Sequence, residues 1–228
     1  MTPGVCYNCL MKLLLTSSGI TNKSIEKALL GLLGKPFKNA SLIFVPTAAN
    51  AEEGDKSWLV DNMYNFKKLG FASFDIIDIV SVSKDIRLRS FNKADILVFG
   101  GGNVEYLLKC ISRSGLRKLL PKFLETKIYV GISAGSMITA KNISLSSSSV
   151  LYYEQTGSLK NTKGLGFIDF ELWPHLNSVW FPKVRLPYLT NLANKIPHAF
   201  YAIDDSTAIK VADKKISVVS EGQWKKFN

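Results

Sequence analysis

Apolar residues in this chain fall into short continuous runs separated by stretches of helical spacing, the rhythm of buried strands alternating with amphipathic helices. Residues 12–16 predict a buried strand. The turn Ser17-Ser18-Gly19 then leads into a helix over 22–33 with Ile25, Leu29, Leu32 and Leu33 on one face. A second strand is predicted over 41–46. Asp55 stands where it can cap a helix over 56–69, in which Leu59, Met63, Phe66 and Leu69 recur at helical spacing. A strand over 74–79 follows, then the apolar run 95–99, which stops at Gly100, Gly101 and Gly102 before Asn103 and a helix beginning at Val104. A helix over 115–124 leads to a strand over 127–131 that runs directly into Ser133. Strands without polar alternation, separated by helices, need both faces covered. The expected fold is therefore α/β, a three-layer α/β/α sandwich with a mostly parallel central sheet.

The second half changes character. Its serine-rich stretch 144–149 predicts a loop or a bulged edge. Alternation in 200–204, 207–212 and 215–219 predicts shorter, partly antiparallel strands ending in a C-terminal antiparallel hairpin turned at Asp213-Lys214. There is no internal repeat and no linker long enough to divide 228 residues, so 11–228 is expected to form one domain, with 1–10 a disordered leader.

Composition removes several classes of function. No apolar run approaches the roughly 18 residues of a membrane span, so no membrane partner is expected. Three cysteines cannot build a disulfide framework, which agrees with a reducing compartment and a cytoplasmic location. Cys6 and Cys9 have metal or redox spacing, yet no second cysteine pair follows and only His175 and His198 could complete a site. Neither a metal nor a cofactor is expected. The net charge of +11 is scattered, with few adjacent basic pairs such as Lys225-Lys226. It reads as a solvated basic surface, and no nucleic acid partner is expected.

The chemistry gathers around Gly131-Ile132-Ser133-Ala134-Gly135. A strand that ends in Gly-x-Ser-x-Gly and restarts as a helix is the setting of a nucleophile elbow, with the serine in a strained turn and glycines relieving clashes on either side. A helix from Ala134 through Ala140 would aim its amino end at the site, making the Ala134 N–H an oxyanion donor. The second donor is expected from the glycine loop, at Gly101 with Gly102 close behind. Ser136 reads as structural. A serine needs a base, and His175, in an irregular segment, is favoured over His198, which precedes an apolar strand. Asp169, Glu171, Asp204 and Asp205 are the candidates to orient the imidazole, and residue spacing does not separate Asp204 from Asp205.

With Phe99-Gly-Gly-Gly-Asn103, Gly131-Ile-Ser-Ala-Gly-Ser136, Gly164-Leu-Gly-Phe167 with Pro174-His175, and Ala202-Ile-Asp-Asp-Ser206 in view, the chain resembles the peptidase S51 family over roughly residues 11–228. That is the dipeptidase E-like (α-aspartyl dipeptidase) and cyanophycinase group of the class I glutamine amidotransferase-like fold. The resemblance places the family's serine on Ser133, its histidine on His175 and its acid on Asp205, where the family commonly has the longer Glu. It implies a serine peptidase that hydrolyses short peptides through an acyl-enzyme, with preference for dipeptides carrying an N-terminal Asp. A cation should then meet the substrate carboxylate. Arg185 is the choice because its fork suits a carboxylate, Lys183 is the alternative, and Asn103 is a further substrate-binding candidate. The implied partner is a small peptide substrate, with a homodimer as candidate assembly. An intracellular serine esterase or amidase and a non-catalytic amidotransferase-like binding module are the competing readings.

Overall fold

The computed structural model describes residues 11–153, 162–212 and 214–228. The expected leader with Cys6 and Cys9, residues 154–161 and Asp213 lie outside them.

The first half runs β1 (Lys12–Thr16), α1 (Lys23–Leu33), β2 (Ser41–Val45), α2 (Ser57–Lys67), β3 (Ser73–Ile76), α3 (Lys84–Lys93), β4 (Ile96–Phe99), α4 (Val104–Arg113), α5 (Leu116–Phe123), β5 (Ile128–Ile132) and α6 (Ala134–Met137). The second half adds β6 (Asn142–Ile143), α7 (Leu145–Tyr152), β7 (Thr162–Lys163), β8 (Glu171–Trp173), α8 (Leu186–Ala193), β9 (Phe200–Ile203), β10 (Thr207–Ala212), β11 (Lys215–Ser220) and β12 (Trp224–Phe227). Seven strands form the central sheet in the order β11-β10-β1-β5-β4-β2-β3. Its five strands from the first half are parallel, while β10 and β11 join antiparallel at the β1 side. The expected sandwich and C-terminal hairpin are both present. The hairpin pairs Ala212 with Lys215.

Period-two alternation divides each buried strand between two cores. Leu14, Phe44, Val98 and Val130 pack with Ile25, Leu29 and Phe66 of α1 and α2. Leu13, Leu15, Val45, Phe99 and Tyr129 pack on the other side with Phe91, Leu107, Leu120 and Met137. A one-residue slip of β1 would exchange these faces, and burying each leucine is worth about 1.5–3 kcal/mol, so the register is strongly held. This register determines which strand ends lie side by side.

Asn22 accepts the Ile25 N–H at the start of α1, and the chain leaves that helix through Gly34 at φ 69°. Asp55, the expected cap of α2, stands one residue before that helix's N-cap, Lys56, which makes no side-chain cap bond. Asp55 accepts the Ser57 N–H ahead of α2.

Two expectations are corrected, and one placement that the sequence left open is decided. The stretch 144–149, whose serines predict a loop or a bulged edge, enters α7, because Leu151 and Tyr152 bury and the Tyr152 ring stacks on Trp173 at 6.2 Å. That packing outweighs the weak helix preference of serine. The helix expected from Ala134 through Ala140 ends at Met137, because the carbonyls of Ile138, Thr139 and Ala140 accept N–H groups from residues 165–168. The strand over 200–204 does not join the central sheet. As β9 it pairs with β8 and β12 in a separate three-stranded sheet, whose Trp173, Phe200 and Phe227 pack into the core beside α6. No helix among the described residues is long and apolar enough to cross a membrane.

Candidate active site

The parallel strands β5 and β4 end side by side, pairing Phe99 with Gly131, so the serine turn and the glycine loop emerge together. Ser133 adopts φ 48° and ψ −112°, a conformation that costs a non-glycine residue about 1–3 kcal/mol and persists only when its surroundings hold it. They do so at several points. The Ser133 N–H donates to the Thr16 carbonyl at 3.1 Å, and the Ser136 hydroxyl donates to that same oxygen at 2.8 Å. The buried Tyr129 hydroxyl donates to the Gly135 carbonyl at 2.6 Å. Both flanking glycines are sterically required: a Cβ on Gly131 would strike the Ser136 backbone, and one on Gly135 would strike the Phe99 carbonyl. Ser136 is structural, as expected.

His175 follows β8 in the left-handed region at φ 64°. Its Nε2 lies 2.9 Å from Ser133 Oγ, and its Nδ1 lies 2.8 Å from Asp205 Oδ1 in the turn after β9. A carboxylate at Nδ1 takes that nitrogen's proton as donor, which leaves Nε2 as the acceptor for the serine hydroxyl. Burial pushes the Asp205 carboxyl up, but hydrogen bonding and the charge of His175, with the hydroxyls of Ser17 and Ser18, outweigh it and bring the pKa down to about 2. The shorter Asp therefore reaches the imidazole without the extra methylene of Glu. Phe181 lies against the imidazole, ring centres 4.9 Å apart, and Tyr152 meets it edge-on at 6.3 Å.

The other candidates have different partners. Asp204 accepts the Ser206 N–H and the Thr207 hydroxyl, the Asx-type bonds of a turn residue. Glu171 is buried, pairs with His198 and accepts the Ser144 hydroxyl. Asp169 is exposed. Among the described residues no three His, Cys, Asp or Glu side chains converge as metal ligands.

Gly101 faces the serine: a Cβ built there would stand 3.4 Å from Ser133 Cβ and 3.5 Å from the Trp58 ring. The N–H groups of Gly101 and Ala134 have no hydrogen-bond partner among the described residues. Helix α6 has only four residues, so its contribution at this end is the Ala134 amide itself and not a macrodipole. Gly102 is needed for another reason. It sits at φ 124° with its Cα against the Ala48 backbone.

The two residues expected to contact substrate have partners within the chain. The Asn103 side-chain carbonyl caps α4 by accepting the Tyr106 N–H at 2.9 Å. The Arg185 guanidinium donates to the carbonyls of Phe181, Val184 and Ser178 at 3.0–3.1 Å, which holds the loop after His175 together. The Lys183 ammonium lies 5.1 Å from the centre of the Tyr153 ring. Ser17, Tyr129, Tyr152 and Phe181 all build the site without having been singled out for it in the sequence. Only Ser17 had a local signal, its place in the turn directly after β1.

A strand-end serine, a histidine and a carboxylate stand in hydrogen-bonded sequence on a mostly parallel α/β sandwich. Comparison with known proteins identifies the family. The profile of peptidase family S51 matches residues 13–219, and the chain belongs to that family and is a peptidase. An uncharacterized peptidase of Listeria innocua is 30% identical over 177 residues, covering 77% of this chain and 82% of that one. An uncharacterized peptidase of Pasteurella multocida is 29% identical over 178 residues, covering 76% and 82%. A crystal structure described as a candidate peptidase E protein from Listeria monocytogenes superposes with a TM-score of 0.74 at 24% identity, covering 93% of this chain and all of that one. A peptidase structure from an acI-B1 actinobacterium gives 0.64 at 18% identity, covering 97% and 96%. At these identities the two structures speak for the fold.

Proposed function

We propose that this peptidase is of the serine type and cleaves short peptides, dipeptides with N-terminal Asp first among them, through an acyl-enzyme. The observation that carries the reading is the continuous hydrogen-bonded line from Ser133 Oγ through the imidazole of His175 to Asp205 Oδ1.

In the first step His175 Nε2 takes the Ser133 proton as Oγ attacks the scissile carbonyl carbon, and the carbonyl π pair moves onto oxygen. The Gly101 and Ala134 amides meet that oxyanion; losing one such donor typically costs about 2.7–4 kcal/mol of transition-state stabilisation. The imidazolium, supported by Asp205, then protonates the leaving amine as the C–N bond breaks. Water repeats the sequence on the ester, with His175 again as base, and releases the carboxylic acid and free Ser133. The preference for N-terminal Asp is supported by family membership.

Purified protein incubated with a panel of Asp-X dipeptides, beside Ser133→Ala, tests this. The expected result is hydrolysis by the wild type, none by the variant, and labelling of Ser133 by a fluorophosphonate. Equal rates in both proteins would sink the proposal. Labelling with every dipeptide left intact would move the function to an esterase or amidase using the same residues.

A further inference from the structure

Ser17 is wholly buried one residue beyond β1, and the mechanism above makes no use of it. Its hydroxyl accepts the backbone N–H of His175 at 2.8 Å and donates to Asp205 Oδ1 at 2.5 Å, and the same oxygen lies 3.2 Å from His175 Nδ1. A hydroxyl has one proton and two lone pairs. Because Nδ1 gives its own proton to Asp205, the Ser17 proton must also point at the carboxylate, and a lone pair is left for the His175 N–H. One oxygen atom thus touches the backbone of the base, its ring and its carboxylate.

The backbone contact matters because His175 lies at φ 64°, which is unfavourable for a residue with a Cβ. The following residue is also tied down, with the Leu176 N–H on the Ile203 carbonyl at the end of β9. The contact to the carboxylate matters because Asp205 is partly exposed, with two side-chain torsions to restrain. Ser17 neighbours Thr16, whose carbonyl holds the Ser133 N–H. Two consecutive residues at the end of one central strand therefore grip the two halves of the site.

We propose that Ser17 is a positioning residue that sets the His175–Asp205 pair in register with Ser133. The proposal rests on the serine-peptidase reading and deepens it. Placement errors near 1 Å can cost about a hundredfold in rate, so Ser17→Ala is expected to lower the maximal labelling rate of Ser133 by about tenfold to a hundredfold. The reagent is a fluorophosphonate, followed at several concentrations so that maximal rate and apparent binding constant separate. Binding should stay as in the wild type. A second readout is the Nδ1–H resonance of His175 in ¹H,¹⁵N spectra of the side chains. With only two histidines in the chain, His198→Gln assigns it. Ser17→Ala should broaden or remove that resonance.

A folded Ser17→Ala protein with the wild-type maximal rate and an unchanged resonance overturns the proposal. So does a change confined to the binding constant. If the wild type itself takes no label, the serine-type reading fails, and the resonance alone decides whether Ser17 orients the pair. If Ser17→Ala does not fold, Ser17→Cys, close in volume but a poor donor and acceptor, is measured in the same two ways with the same expectations.

Discussion

The backbone carbonyl of Thr16 accepts the N–H of Ser133 at 3.1 Å, fastening the serine turn to the end of the neighbouring strand. The Thr16 hydroxyl reinforces the join by donating to the Gly131 carbonyl at 2.7 Å. The strained turn is thus part of the sheet's own hydrogen-bond ladder, and Ser133 is presented to His175 before any substrate arrives. Such preorganisation has measurable consequences.

Asp205→Asn keeps the shape of the carboxylate but removes its charge and its claim on the Nδ1 proton. The variant should fold and bind substrate as the wild type does, while kcat falls by about 10³–10⁴, the loss expected when the base is held in the wrong tautomer. Steady-state kinetics on whichever Asp-X dipeptide the wild type cleaves best provide the check.

The same carboxylate makes stability depend on pH. Its pKa in the folded protein is about 2, below its ordinary value of 3.8, so at intermediate pH the unfolded chain binds more protons than the native one. The stabilisation is complete above the ordinary carboxylate range and is lost as pH falls through 3.8 toward 2. Denaturant melts from pH 6 to pH 2 should show a steeper acid decline in the wild type than in Asp205→Asn.

Adjacent glycines should respond differently to alanine. At Gly101 a methyl meets Ser133 Cβ and Trp58 at ordinary contact distance, so Gly101→Ala should fold with a nearly unchanged melting temperature while losing activity through crowding beside the proposed oxyanion donor. At Gly102 the methyl would strike the Ala48 backbone at a positive φ, so Gly102→Ala should be strongly destabilised. Thermal melts and kinetics on both variants separate the two roles.

Arg185→Met removes the donors that gather the Ser178, Phe181 and Val184 carbonyls. Hydrogen bonds from charged donors contribute about 1.5–3 kcal/mol, so stability should fall by about that much. If Arg185 bound substrate directly, KM would rise without a loss of stability. Urea unfolding combined with KM measurements distinguishes the two.

The legible part of the site follows from locality. Ser133 could be found because Gly131 and Gly135 are needed within two residues of it, so the elbow is written in one pentapeptide. His175 could be found because only two histidines exist, and His198 stood where a strand begins. Asp204 and Asp205 could not be separated by spacing, because neighbours in a turn point to different sides and only the partners across space tell them apart. Asp204 meets Ser206 and Thr207, and Asp205 meets His175. A guanidinium suits a carboxylate, so residue type alone points Arg185 at substrate, while the carbonyls it binds gather only when its loop closes.

By itself the sequence determined the alternation of buried strands and amphipathic helices, the parallel sheet and the strand ends bearing Ser133 and Gly101, because these depend on short-range periodicity and turn chemistry. Tertiary structure alone decided that the serine-rich stretch becomes α7, that β9 leaves the central sheet, and that Thr16 and Ser17 hold Ser133, His175 and Asp205 together. Those outcomes rest on burial and hydrogen bonds between residues far apart in the chain, up to 188 positions for Ser17 and Asp205.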